Sequence, residues 1–352
     1  MRLYERITLP ILHSLEPEKA HDLSISALKS NLIPGPGKLT SDRLAINIAG
    51  LHFPNPIGLA AGYDKNAKII TQLMRMGFGF IEVGAVTPKS QNGNPNPRLF
   101  RLDEDLAIIN RFGFNNLGMN NVNKRLASYS GDGIVGLNIG ANKDSINRHN
   151  DYSEVLSHTY KSINFATINI SSPNTKDLRN LQEKTSLSKL LKSLRDTRAS
   201  IPKKIPLFLK VAPDLTKSDI KMMTDLVLQF DIDGIITTNT TLERENLRSK
   251  YKDEQGGLSG RPLFIKSTKI LAQFSKETEG KVPLIGVGGI SSARDVYTKI
   301  KAGASVTQLY SALVYDGFSL VEKIFKELDI MVKNDGYKNI KEAVGIEREK
   351  WM

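Results

Sequence analysis

Short apolar, β-branched runs that end in Gly, Asn, Thr or Ser recur along the chain. They are PIGLAAG (56–62), FIEVGAV (80–86), IVGLNIG (134–140), FATINI (165–170), PLFLKVAP (206–213), GIITTN (234–239), PLIGVGGI (283–290) and SVTQLYSAL (305–313). Near-continuous apolar runs suit parallel strands covered on both faces. Between them the period becomes helical. In NAKIITQLMRMG, Ile69, Ile70, Leu73 and Met76 share one helical face; SLSKLLKSLRDTRA and KSDIKMMTDLVLQF read the same way, with Ser218 and Asp219 as candidate caps of the latter. Strand and helix alternating eight times predict an α/β fold, a (β/α)8 TIM barrel, over residues 46–336. A doubly wound open sheet is the alternative, but it usually has fewer strands and a GxGxxG turn that this chain lacks.

Residues 1–45 precede the barrel as a small N-terminal helical extension. RLYERITLPILHSL carries Leu3, Ile7, Ile11, Leu12 and Leu15 on one face, and EPEKAHDLSISALKS carries Ala20, Leu23, Ala27 and Leu28. Two helices this short cannot build a core of their own, so their apolar faces must lie on the barrel, a partner or a membrane surface. Residues 337–352, GYKNIKEAVGIEREKWM from Gly336 onward, are expected to form an amphipathic helical tail. Two connections are long, 87–133 and 240–282, and long loops in a compact domain tend to be lids or binding loops. Residues 176–186 are the candidate lid.

Composition narrows the chemistry. The 352 residues include no cysteine, which excludes disulfides, thiolate metal sites and a cysteine nucleophile. No run of 18 apolar residues is long enough to span a bilayer, and charges interrupt the apolar N-terminus, so it is not a secretory signal. A net charge of +12 favours anionic partners. The lysines are scattered and rarely interleaved with aromatics, so nucleic acid is not expected among them.

Barrel active sites lie at the C-terminal strand ends. Here those ends carry Ala61, Gly62 and Lys65, then Thr87, Asn138, Asn169 with Ser172, Lys210, Thr238 with Asn239, Gly288 with Gly289, and Tyr310 with Ser311. The stretch INISSPNT (168–175) crowds small hydrogen-bonding side chains around a proline with no charge. Asparagine both donates and accepts, so a ring of asparagines suits a heterocycle with alternating N–H and C=O groups. Two lysines supply positive charge for a phosphate, a carboxylate or an electron-rich ring. GVGGI at the seventh run fits the phosphate site that barrels build after strands seven and eight. Any one of these polar residues could simply cap the following helix; a converging set is harder to explain that way.

In these residues the chain resembles the dihydroorotate dehydrogenase family, specifically its membrane-associated, quinone-dependent class. The resemblance runs from the N-terminal helices to about residue 320, through AAGYDKN (60–66), EVGAVTP (82–88), NPRLFRL (96–102), NRFGFNN (110–116), NIGANKD (138–144), NISSPNT (169–175), LKVAPDL (209–215), TTNTT (237–241), GGLSGRP (256–262), GVGGI (286–290) and QLYSAL (308–313). Ala67 departs from it, standing where the family carries glycine.

The resemblance implies FMN as cofactor, no metal, and oxidation of dihydroorotate to orotate in pyrimidine synthesis. By motif position Ser172 is the base at C5, while hydride leaves C6 for the flavin. Lys65, Asn110, Asn169, Asn174 and Asn239 are substrate contacts, with Arg111, Phe112, Gly113, Phe114 and Thr240 beside them in the same motifs. Ala61, Gly62, Lys65, Thr87, Asn138, Asn169, Lys210, Thr238, Gly260, Gly289, Tyr310 and Ser311 are carried over as FMN contacts. The soluble class has cysteine at the base position; Ser172 in a chain without cysteine selects the quinone class. The N-terminal helices then become the quinone-access segment, with His21 and Arg101 at its quinone end. The implied setting is a monomer, peripheral on the cytoplasmic side of the inner membrane and drawn to its anionic surface. The rival readings are a tRNA-modifying FMN barrel such as a dihydrouridine synthase, and a non-catalytic barrel that binds a phosphate ligand or a partner protein.

Overall fold

The computed structural model describes residues 2–175 and 178–352. Helices α1 (Leu3–Ser14) and α2 (Pro17–Lys29) open the chain. Pro17 sits at the first helical position of α2, and the Glu16 carboxylate accepts from the N–H groups of Glu18 and Lys19 at 3.0 and 2.9 Å, so the second helix starts where its orphan donors are met. A hairpin follows, β1 (Ile46–Ile48) and β2 (Leu51–Phe53), then β3 (Ile57–Leu59), α3 (Ile70–Arg75) and β4 (Phe80–Val86). The first long connection contains β5 (Leu99–Leu102), β6 (Ala107–Asn110) and α4 (Gly118–Ala127). Next come β7 (Ile134–Ile139), α5 (Arg148–Thr159), β8 (Phe165–Asn169), α6 (Lys184–Ser200), β9 (Leu207–Val211), α7 (Lys217–Gln229) and β10 (Gly234–Thr237). The second long connection contains β11 (Gly257–Gly260) and α8 (Phe264–Glu277). The chain closes with β12 (Leu284–Val287), α9 (Ala293–Ala302), β13 (Val306–Leu309), α10 (Ala312–Asp316) and α11 (Ser319–Asn334).

Eight strands close a barrel in the order β10-β12-β13-β3-β4-β7-β8-β9, every neighbour parallel and β9 paired with β10. Each expected apolar run supplies one of these strands. The last run is strand only over Val306–Leu309; its end turns into α10. Helix α3 is shorter than its periodicity suggests, because Asp64 draws the preceding loop in, accepting from the N–H groups of Asn66, Lys68 and Ile69. Ala67 lies in that loop at φ +54°, a left-handed conformation that glycine adopts without strain. The cap of α7 is Thr216, in a reciprocal capping box with Asp219; Ser218 is already within the helix.

The barrel floor is aromatic. Phe53, Phe80, Phe165 and Phe208 form a chain of edge-to-face contacts with centroids 4.9, 6.2 and 5.4 Å apart, and all four are fully buried. Glycines on neighbouring strands make room for three of the rings: a Cβ at Gly58, Gly136 or Gly234 would come within 2.3, 2.0 or 2.3 Å of Phe80, Phe165 or Phe208. The unforeseen β1–β2 hairpin closes this end with Ile46, Ile48 and Phe53.

At the opposite end the two long connections meet. β5, β6 and β11 pair antiparallel, Leu99 and Gly257 both opposite Asn110, and form a sheet of their own beside the barrel mouth. The C-terminal tail does not form the expected helix. It makes two 3-10 turns, Ile340–Ala343 and Arg348–Trp351. Gly336 and Gly345 at φ +83° and +79° confine it to short pieces, while Ile340 and Ala343 sink into the core and Trp351 packs edge-on to Phe264 at 6.2 Å. Of the candidate lid, Lys176 and Asp177 lie outside the described residues; Leu178–Gln182 form a 3-10 turn and Lys184 begins α6.

Candidate active site

The strand ends and the antiparallel sheet enclose a cavity of about 350 Å³. Ala61, Gly62, Lys65, Asn110, Phe112, Gly113, Phe114, Asn138, Asn169, Ser172, Asn174, Lys210, Thr238, Asn239, Thr240, Gly260, Gly289, Tyr310 and Ser311 all line it. Two expected residues do not. Thr87 is fully buried behind the wall, where its hydroxyl donates to Lys89 O at 2.7 Å and accepts from Asn116 and Asn142 at 2.8 and 3.1 Å. Arg111 points away, pairing with Glu254 at 2.7 Å and stacking on Phe100 at 4.6 Å, so it ties the two long connections together.

A buried carboxylate organises the polar side of the cavity. Glu82, fully buried on β4, accepts from Asn138 Nδ2 and Gln308 Nε2, both at 2.6 Å. Asn169 Nδ2 donates to Asn138 Oδ1 at 2.8 Å, and Asn239 Nδ2 donates to Asn169 Oδ1 at 3.2 Å and to Ser171 Oγ at 3.1 Å. Thr240 N–H donates to Asn239 Oδ1 at 2.8 Å. Every amide in this relay therefore points its NH2 toward the carboxylate, which fixes the orientation of each. Asn138 and Asn169 each keep a second N–H beyond the relay. The sequence reading missed Glu82, Gln308 and Ser171. The available signal was a charged residue inside FIEVGAV and an amide inside SVTQLY, both in runs that otherwise bury both faces.

Lys210, on β9, is also buried; desolvation lowers its ammonium from the ordinary lysine range and the Glu82 carboxylate opposes that shift. Lys65 places its ammonium 4.1 Å from the Phe112 ring centroid, and burial pushes it down to about 8 against the pull of Glu18 and Asp22. Ser172 follows β8, nine-tenths buried, with Oγ accepting from Asn174 N–H at 3.3 Å. Asn174 donates to Asn110 Oδ1 at 3.2 Å and leaves its own buried Oδ1 without a partner among the described residues; the same holds for Thr175 Oγ1. Unmet buried acceptors and hydroxyls beside one serine are the expected mark of a polar ligand site. At the other end Gly288 and Gly289 turn at φ +111° and +75°. The N–H groups of Gly288, Gly289 and Ile290 donate to no acceptor among the described residues, which makes a cradle for an anion.

A second cavity, about 390 Å³ and almost wholly apolar, lies between the helix pair and the barrel. His21 and Arg101 both line it. Burial pushes His21 down to about 3, with Lys65 adding to the shift, and its ring meets Tyr63 edge-on at 5.1 Å. Arg101 donates to the carbonyls of Leu12, His13 and Leu15 at 3.1, 2.6 and 2.7 Å, and so caps the end of α1. The Arg98 guanidinium grips Glu18 of α2 through Nε and Nη2, the closest contact at 2.6 Å. Leu99, Ile108 and Tyr310 line both cavities and form a common wall.

Comparison with known proteins agrees with this arrangement. The family model described as dihydroorotate dehydrogenase matches residues 43–332. A Cereibacter sphaeroides protein named dihydroorotate dehydrogenase (quinone) is 52% identical over 353 residues, covering all of both chains. A Bartonella tribocorum protein of the same name is 47% identical, covering all of this chain and 99% of that one. The crystal structure of an Eimeria tenella DHODH in complex with ferulenol superposes with a TM-score of 0.90 at 38% identity, covering 96% of this chain and 98% of that one. The chain thus belongs to the dihydroorotate dehydrogenase family, in its quinone-dependent class, and is an oxidoreductase.

Proposed function

We propose that the chain oxidises dihydroorotate to orotate with FMN as cofactor and a membrane quinone as final acceptor, in pyrimidine synthesis. The observation that carries this is the pair of cavities, one polar and one apolar, sharing the wall of Leu99, Ile108 and Tyr310. Bound FMN would supply a two-electron acceptor for the hydride leaving C6 of the substrate and a route for those electrons to the quinone. The cavity fits such a group: it has room for a flat ring system, a buried ammonium at Lys210 and open amide donors at Gly288–Ile290 for a phosphate. Gly62, Tyr310 and Ser311 complete its walls.

Ser172 Oγ takes the proton from C5. That proton is α to a carbonyl, and an isolated hydroxyl is a weak base, so the transfer needs a dry site and stabilised charge. Burial of Ser172 and the Lys65 ammonium that lines the same cavity provide both, and Thr175 Oγ1, in the residue directly after Asn174 and without a partner among the described residues, serves as a proton outlet. Asn110, Asn174 and Asn239 hold the ring and its carboxylate, their orientations set by the hydrogen bonds described above.

The apolar cavity receives the quinone. Ile11 and Leu23, which line it, are 56% and 49% exposed, and Leu3, Ile7 and Leu32 are exposed beside them. No helix among the described residues is long and apolar enough to cross a membrane. This supports seating of α1 and α2 in the surface of an anionic membrane, on the cytoplasmic side of the inner membrane, with the +12 charge adding attraction. The test is spectroscopic. Dihydroorotate should bleach the flavin band of purified protein and a soluble quinone should restore it. Ser172→Ala should keep its flavin and reduce it at least about a hundredfold more slowly; reduction at the wild-type rate would remove Ser172 as base, and a colourless protein that forms no orotate would remove the whole reading.

A further inference from the structure

We infer that Lys299 is a positioning residue for the phosphate end of the flavin, acting through Ser267 on the Gly288–Gly289 turn and placing a positive charge behind it; this rests on the FMN reading above. Lys299 stands on α9 outside the barrel wall and is fully buried. Its aliphatic stem runs over β12, where a Cβ at Gly286 would lie 3.2 Å from Lys299 Cδ. Its ammonium ends on the first turns of α8, donating to Ser267 Oγ at 2.9 Å and to Thr268 Oγ1 at 3.0 Å, with the Phe264 ring centroid 5.0 Å away. Ser267 Oγ in turn reaches Gly288 O at 3.1 Å. The lysine is therefore two hydrogen bonds from the turn whose Gly288, Gly289 and Ile290 line the cavity.

The turn is held hard against the same helix. A Cβ at Gly289 would meet Phe264 Cα at 2.6 Å, and one at Gly288 would meet Ser267 Oγ at 2.8 Å. So α8, the lysine and the turn form one packed unit.

Packing alone does not account for the ammonium. A methionine would cover Gly286 as well. Burying a cation without a carboxylate partner is costly, and here both hydrogen-bond partners are hydroxyls. The Asp295 carboxylate, one turn earlier on α9, is occupied by Ser291 N–H and Oγ at 2.9 and 3.1 Å. The N-terminal end of α8 adds a second positive field beside the first. Desolvation pushes the ammonium down to about 7 against the pull of the Asp295 carboxylate. An anion on the open N–H groups of Gly288, Gly289 and Ile290 is what would balance both fields.

Riboflavin separates this role from general packing, because it lacks the phosphate. Full-length protein is stripped of flavin, and FMN and riboflavin are titrated back while flavin fluorescence is followed. Lys299→Met should weaken FMN about tenfold or more, the size expected for one charge acting over several ångströms at an effective dielectric of about 20, and should leave riboflavin within about twofold. Ser267→Ala keeps the charge but cuts the link to Gly288, and should weaken FMN less, again sparing riboflavin. Equal losses for both ligands, or no loss for either, would overturn the inference. Should Lys299→Met fail to fold, Ser267→Ala decides: an FMN-selective loss upholds the link and an unselective or absent one removes it. Wild-type protein that binds no FMN would instead remove the functional reading on which this stands.

Discussion

Glu82 offers the sharpest test of how the cavity is held together. Its two oxygens accept from Asn138 and Gln308 at 2.6 Å each, and its charge faces the buried Lys210. Replacing Glu82 with leucine of similar bulk leaves two buried amide donors and one buried ammonium uncompensated. Each hydrogen bond to a charged group contributes about 1.5–3 kcal/mol, and removing one partner of a buried charged set costs about 3–5 kcal/mol. Glu82→Leu should therefore lose about 4 kcal/mol. Glu82→Gln behaves differently. It keeps the shape and one acceptor, and Gln308 can turn its buried Oε1, which has no partner among the described residues, toward the new NH2 group. The loss then reduces to the charge term, about 2 kcal/mol. Urea unfolding followed by far-UV circular dichroism gives both values, provided the slope with denaturant is unchanged. In the same samples bound flavin should fall in the order wild type, Gln, Leu, because Asn138 and Asn169 lose their orientation in that order. A leucine variant within about 1 kcal/mol of wild type, or a glutamine variant less stable than the leucine one, would refute the view that this carboxylate organises the relay.

Other consequences follow from single contacts. Phe165→Ala empties the middle of the aromatic floor, where the ring is fully buried between Phe80 and Phe208, and should cost about 3–5 kcal/mol in the same unfolding assay. Arg101→Ala frees three carbonyls at the end of α1, so the KM for quinone should rise about tenfold or more while the rate of flavin reduction by dihydroorotate stays within twofold. His21 has a folded-state value of about 3 against 6.5 when unfolded, so between those limits the unfolded chain binds a proton that the folded one does not. Stability should thus be full above pH 6.5 and fall with pH by up to about 1.4 kcal/mol per unit toward pH 3, and His21→Phe should flatten that slope.

Much of this was legible in the chain itself. Parallel strands buried on both faces must be written as apolar runs, so all eight barrel strands stood out, and the barrel rule then placed the chemistry at their polar ends. Side chains that follow directly from a strand end, such as Asn138, Asn169, Lys210 and Asn239, did converge on the cavity. The helix pair was equally plain, because its apolar faces had nothing in their own segment to cover them.

Other features depended on residues far apart in sequence. Thr87 and Arg111 occupy motif positions, yet Asn116 and Asn142 claim the hydroxyl and Glu254 the guanidinium, so neither reaches the cavity. The relay from Gln308 and Glu82 to Asn239 joins β13, β4, β7, β8 and the end of β10, which face one cavity only when the barrel closes. The antiparallel sheet needs two connections separated by well over a hundred residues to pair. The tail reads as a helix by composition, but Gly336 and Gly345 and the demands of packing Ile340 against the core hold it in short turns. Local pattern set which segments became strands and helices, because side-chain period is written into each segment and helical hydrogen bonds stay within one. Which polar atoms face one another was left to tertiary closure, because a hydrogen bond reads distance and angle and takes no account of separation along the chain.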